Sequence, residues 1–280
     1  MKSIVICAAL SLAACSTGSG TSSSSSAPNI VKPNDLPARH RAVLEAWKTG
    51  GTAWSIEREN VRDDPELARF VVDNLTIEMV QAFDRSRLAQ TGQRAGPFER
   101  AQEELVFLSE HSTPVLVQFL IVGDGIVAFL AADTLTKIGD LALEPTLTVL
   151  EHTQAEARRR AAELLERLPY AGSGEGRVLE ALAVRIEKDR EWIVRAQSAR
   201  ALGARGAKHE HKGFAMGVLV RALSDQDEGV AESAAKALGE LGEVRAIPRL
   251  DEALSAASEG GRPALVDAIR AAKRVLSRGR

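Results

Sequence analysis

Three short runs carry residue types that could do chemistry. His209-Glu210-His211 offers two imidazoles and a carboxylate, the donors of a zinc or iron site. Neighbouring residues point to different sides of a helix, and no third ligand converges on the run. A solvated loop between Gly206 and Gly213 is therefore expected, not a metal site. Arg158-Arg159-Arg160 could grip a phosphate. Glu156, Glu163 and Glu166 surround it, so a solvated helix face that neutralises itself is expected instead. Gly172-Ser173-Gly174-Glu175-Gly176 has the glycine content of a phosphate loop but lacks the following Lys-Ser/Thr and the preceding buried strand. It reads as a linker between helices. No nucleophile motif of the GxSxG kind occurs. No catalytic residue, metal ligand or cofactor is expected, and the chain reads as a binding protein and not as an enzyme.

The elements that would position such residues follow from composition and period. The chain has 280 residues, 45% hydrophobic but only 4% aromatic, so its core must be Ala, Leu and Val. That suits close-packed short helices better than a β-sandwich. A formal net charge of −2 leaves no basic excess for nucleic acid. Both cysteines, Cys7 and Cys15, fall near the start, so the body has no disulfide and no thiolate chemistry.

The second helices are the strongest pattern. Val230, Ala234, Ala235, Leu238 and Leu241 form one apolar stripe. The same pattern recurs at Val127, Ala131, Ala132, Leu135 and Ile138, and at Ala157, Ala161, Ala162, Leu165 and Leu168. A fourth copy, Val194, Ser198, Ala199 and Leu202, has Arg205 breaking its last apolar position. The starts step by 30, 37 and 36 residues. A second register, Pro114-x-Leu116-xxx-Leu120 and Pro248-x-Leu250-xxx-Leu254, keeps the same phase. Such units cannot bury their stripes alone and must stack. Asp124 and Asp227 are placed to cap second helices, and Gly242 to close one.

These residues resemble HEAT repeats, especially the short variety shared with phycobilisome-lyase-like proteins. The carriers are Asp227-xx-Val230, Ala234-Ala235, Leu238-Gly239 and Ala246-Ile247-Pro248, with Val194-Arg195 and Leu202-Gly203. Ala231 and Ala128 replace the Arg of the family pattern, and Glu191 its Asp, which weakens the family's Asp–Arg ladder. The resemblance implies an all-α fold: an α-solenoid of about five HEAT-like helix pairs over residues 98–280. The chain is also similar in architecture to deoxyhypusine hydroxylase, a HEAT-repeat iron enzyme. That family uses several His-Glu pairs, and this chain has one, at 209–210. A lyase-like enzyme or enzyme subunit stays as the alternative function, although repeats alone carry no catalytic residue over.

Residues 35–97 show no repeat signature. Leu36 to Trp47 reads as a helix ended by Gly50-Gly51, and Asp64-Pro65 opens a long one to about Leu88. Thr91 to Pro97 reads as a loop. The segment is either a helical cap on the first face of the solenoid or a small separate interaction module.

At the start, Lys2 and the apolar run Ile4 to Leu10 form a signal-like segment too short to span a bilayer. It ends in Leu12-Ala13-Ala14-Cys15, which resembles the lipobox of bacterial lipoproteins. That resemblance implies removal of residues 1–14, lipidation of Cys15 (palmitate among the acyl chains) and a membrane link through the lipid. An ordinary secretory signal with an incidental Cys is the other reading. Ser16 stands where an Asp would imply inner-membrane retention, so the bacterial envelope, with the outer membrane favoured, is the expected location. Residues 15–34 are Ser/Gly-rich and read as a flexible tether; roughly 19 residues of it reach about 24 Å.

A partner surface follows from the same stripes. In each second helix the residues two and six places after the opening apolar position point away from the buried side. These are Phe129 and Asp133, Arg159 and Glu163, Ala196 and Arg200, and Glu232 and Lys236. By resemblance to HEAT proteins they form a ladder along the concave side. Charges of both signs suit a protein partner. Phe129 is either an aromatic anchor or packing against the next repeat. A purely structural envelope component without a specific ligand is the third reading.

Overall fold

A computed structural model describes residues 36–88, 96–169, 171–208 and 210–278. Cys15, the tether and His209 lie outside the described residues. Every regular element among the described residues is helical. They divide into two compact units, one ending at Val115 and the other beginning at Leu116.

The first unit contains α1 (Ala38–Thr49), α2 (Gly51–Asp63), α3 (Pro65–Leu88) and α4 (Gly96–Phe107), and α5 (Ser109–Val122) begins in it. The long helix opened by Asp64-Pro65 is present, and Asp64 accepts the Glu66 and Leu67 amides at 3.1 Å. Helix α2 was not expected. It buries only Trp54 and Val61, two full turns apart, too sparse a stripe to read from sequence. The junction at 97/98 lies within α4, where Pro97 takes an early position that tolerates it. Two tryptophans anchor this unit. Trp47 and Trp54 meet edge to face at 5.0 Å, and the Trp47 indole donates to Glu78 at 2.7 Å. Arg100 lies over the Trp47 ring at 3.7 Å, and Arg58 over Phe107 at the same distance.

The second unit is an all-α solenoid. It continues α5 and adds α6 (Gly125–Ile138), α7 (Leu143–Val149), α8 (Ala155–Arg167), α9 (Glu175–Lys188) and α10 (Trp192–Gly206). It ends with α11 (Lys212–Ala222), α12 (Glu228–Leu241), α13 (Ile247–Glu259) and α14 (Pro263–Arg278). Five helix pairs result, and the second helices α6, α8, α10, α12 and α14 each touch the next. The expected stripes are their buried faces: Ala131 and Leu135, Ala161 and Leu165, Ala199 and Leu202, and Ala235 and Leu238 join one continuous core.

Local chemistry sets the ends of these helices. Asp124 accepts the Ile126 and Val127 amides, and Asp227 accepts the Gly229 amide. Gly242 closes α12 at φ 70°, ψ 21°, a left-handed cap that a side chain would strain. Small residues let the axes approach. A Cβ built on Gly203 would sit 2.6 Å from the Ala237 Cβ, and one on Gly239 would sit 3.0 Å from the Ala272 Cα. The Leu-Gly pairs of α10 and α12 are therefore contact points between successive helices.

Candidate functional site

The arginine run of α8 is not a solvated face. Its three side chains leave the helix about 100° apart and do three different things. Arg158 turns inward, donating from Nε and Nη2 to the two Asp189 oxygens at 2.7 Å and from Nη1 to the His152 and Thr153 carbonyls. Arg160 reaches back to the end of α5, where its Nη1 donates to the Leu120 and Gly123 carbonyls at 3.0 Å. Only Arg159 faces outward, held between Glu156 and Glu163 at 2.8 Å. Hydrogen bonds from Arg159 hold the Glu156 carboxyl below its usual range, and the same bonds raise the Arg159 guanidinium. Phosphate would have to break these pairs before it could bind.

The Asp–Arg ladder exists, but two residues earlier than expected. Arg158 pairs with Asp189, and Arg195 pairs in the same bidentate way with Asp225 at 2.9 Å, while its Nη1 donates to the Asp189 carbonyl. These two rungs tie α8 to the turn before α10 and α10 to the turn before α12. At Ala128 and Ala231 the ladder has no arginine.

Arg205, which breaks the apolar pattern of α10, is buried. It donates to both oxygens of the equally buried Glu175 and to the carbonyls of Leu165, Leu168 and Pro169. It thereby fills the orphan acceptors at the end of α8.

The outward stripe is where recognition chemistry collects. Phe129 on α6 is 49% exposed. With Leu120, Ala128 and Ala132 it makes the apolar floor of a cavity of about 180 Å³ between α6 and α8. Arg159, Glu163, Glu156, Arg160 and Arg167 make its rim. Arg167 also pairs with Asp133 at 3.0 Å. The cavity therefore gathers Phe129, Arg159 and Glu163 and holds Asp133 at its edge. The other ladder residues stand apart from it. Arg200 is 3.7 Å from Glu166, Glu232 pairs with Lys236 within α12, and Ala196 is buried instead of outward.

Sequence reasoning missed Trp192. It opens α10, is 47% exposed, and lies over Gly229, where an added Cβ would come within 3.1 Å of the ring. Its position four residues before Ala196, on the same stripe, was the signal available.

Among the described residues no group of three or more His, Cys, Asp or Glu is placed to hold a metal ion. Glu210 and His211 contact each other at 3.4 Å. No single described helix is long and apolar enough to cross a membrane.

A family model described as HEAT repeats matches residues 179–270. The match covers about a third of the chain and takes in α10 and α12 with the helices between and beside them. Trp192, Arg200, Glu232 and Lys236 fall inside the matched HEAT stretch, whereas Phe129, Asp133, Arg159 and Glu163 lie on the preceding helices of the same pattern. No curated protein matches the chain. Among solved structures, a designed armadillo repeat protein is 18% identical with a TM-score of 0.41, over 71% of this chain and 98% of that one. The karyopherin Kap121p, bound to the extreme C-terminus of the protein phosphatase Cdc14p, is 12% identical with a TM-score of 0.48, over 85% of this chain and 29% of that one. Human deoxyhypusine hydroxylase is 18% identical with a TM-score of 0.36, over 89% of this chain and 93% of that one.

Proposed function

We propose that this chain is a non-catalytic scaffold, anchored to the bacterial envelope by lipid on Cys15, that binds a protein partner through the outward stripe of its second helices. The outer membrane is the favoured location. The observation that carries the binding reading is the cavity beneath Phe129. A large apolar side chain is left half in solvent beside Leu120, Ala128 and Ala132, with guanidinium groups at the rim. Exposed aromatics beside arginine are the usual centres of protein interfaces. Trp192 supplies a second aromatic on the far side of α8, with α6 carrying the first. Second helices lie about 10 Å apart, so the two aromatics stand roughly 20 Å from each other. An extended partner segment of about six residues spans that distance.

The test begins with proximity labelling from the intact protein, which names the partner. The purified partner is then titrated against Phe129→Ala, Trp192→Ala and Arg159→Glu. Each is expected to weaken binding at least tenfold, about 1.4 kcal/mol, with helicity and melting temperature unchanged. Undiminished affinity in all three would remove this surface from the account.

A further inference from the structure

The last helix of the solenoid carries a second feature, distinct from the Phe129 cavity. Ala237 of α12 receives Gly203, and Ala272 of α14 receives Gly239. Aligning Ala272 with Ala237 puts Arg274 where α12 has Gly239, Arg270 where it has Ala235, and Lys273 where it has Leu238. The positions that let another helix approach α10 and α12 are thus filled by cations in α14. A solvent-facing side of a helix needs polar residues. It does not need charges of a single sign.

Many of the other arginines in this unit are neutralised. Arg158, Arg159, Arg167, Arg195, Arg205 and Arg221 all hold carboxylates at hydrogen-bond distance. The face of α14 differs. Arg270, Arg274 and Arg278 follow at four-residue steps, about 6 Å apart on one side of the helix, and all are exposed. Arg270 has only a loose contact with Asp267 at 3.8 Å, both side chains well solvated. Neither Arg274 nor Arg278 has a carboxylate partner among the described residues. Lys273 is held by Asp251. A shallow depression of about 470 Å³ is lined by Arg270, Lys273, Arg274, Ser277 and Arg278, and no carboxylate lines it.

We propose that this face binds the anionic phosphate headgroups of a phospholipid surface. Guanidinium groups match phosphate oxygens in a planar, bidentate way. A short stripe of three suits a headgroup layer better than a nucleic acid, because the chain as a whole is acidic, with a net charge of −2, and would repel a long polyanion elsewhere. Choosing a bilayer as the source of phosphate rests on the proposed envelope anchoring. The binding itself needs no lipid on Cys15.

The full chain carrying Cys15→Ser, and so unable to be lipidated, is floated with neutral phosphatidylcholine vesicles and with vesicles containing about one-third phosphatidylglycerol. Binding is expected only to the anionic vesicles, and it should fade as salt rises. Each of Arg270→Gln, Arg274→Gln and Arg278→Gln should lower partitioning roughly fivefold. Arg221→Gln, an exposed arginine on α11, should leave it unchanged. Melting curves separate lost binding from lost fold, and Arg278→Glu, at the very end of α14, gives a second variant with little structural risk. Equal binding to neutral vesicles would overturn the proposal. So would no loss in the α14 variants, or displacement by a short DNA duplex at the concentration that saturates the lipid. Absence of acyl label on wild-type Cys15 would strike the anchoring reading and leave this result standing.

Discussion

Arg205 shows what a single misfit residue can mean. An arginine in a stripe of leucines reads as an interruption, yet here it is one half of a buried ion pair and the cap of a neighbouring helix. Breaking such a pair from one side leaves an uncompensated buried charge. Glu175→Ala is therefore expected to cost about 3–5 kcal/mol, read as the shift in urea midpoint at constant slope. A loss below about 1 kcal/mol would show that Arg205 is held by the carbonyls alone. The ladder residues add a pH signature. Burial opposes the charged form of Asp189 and Asp225, but hydrogen bonds from Arg158 and Arg195, with those from nearby backbone amides, outweigh it and hold both carboxyls below their ordinary range. A depressed carboxyl stabilises the fold fully above its unfolded value, near pH 4, and that contribution is lost as the pH falls through the folded value. Thermal melts between about pH 5 and pH 2 should show the loss, and Asp189→Asn should flatten it in that window. A wild-type curve that stayed level across it would remove the rungs from the stability account.

At the scale of helices, the close approach of second helices rests on glycine. Gly203→Val would drive a branched side chain into Ala237 and is expected to cost about 1–3 kcal/mol, more than Gly239→Ala, whose added carbon meets its neighbour at a less severe distance. Differential scanning calorimetry of the two variants checks both the loss and its order. The second helices were legible in the sequence because one apolar pattern recurs in four stripes and Asp124, Asp227 and Gly242 sit where caps are needed. Helix α2 was not legible, since two buried residues in thirteen make no stripe. The ladder was legible only as a family pattern. Its acceptors, Asp189 and Asp225, lie about thirty residues from their arginines, a pairing that only the stacked helices bring about. Phe129 was readable as a large apolar residue on the wrong side of its helix. The cavity beneath it was not, because Leu120 and Arg167 reach it from other helices.

For the molecule as a whole, the proposed anchoring would set where all these surfaces work. The proposed lipidation makes a plain expectation: wild-type protein in the membrane fraction with metabolic palmitate label, and Cys15→Ser without label. Retained label in the variant would mean that another residue carries the lipid. Released protein should stay helical and melt at the wild-type temperature, since Cys15 lies before Leu36, the first described residue.

The glycine contacts of α10 and α12 have one more consequence. Gly203 meets Ala237 in the same way that Gly239 meets Ala272, so α10 and α12 offer the same donor side, and α12 and α14 the same receiving side. A duplicated α11–α12 segment, spliced in after the original, would present Gly239 to a second Ala237, and the last copy would still meet Ala272. The number of repeats in such a chain is therefore free to change by insertion or deletion of an α11–α12 unit without inventing a new interface.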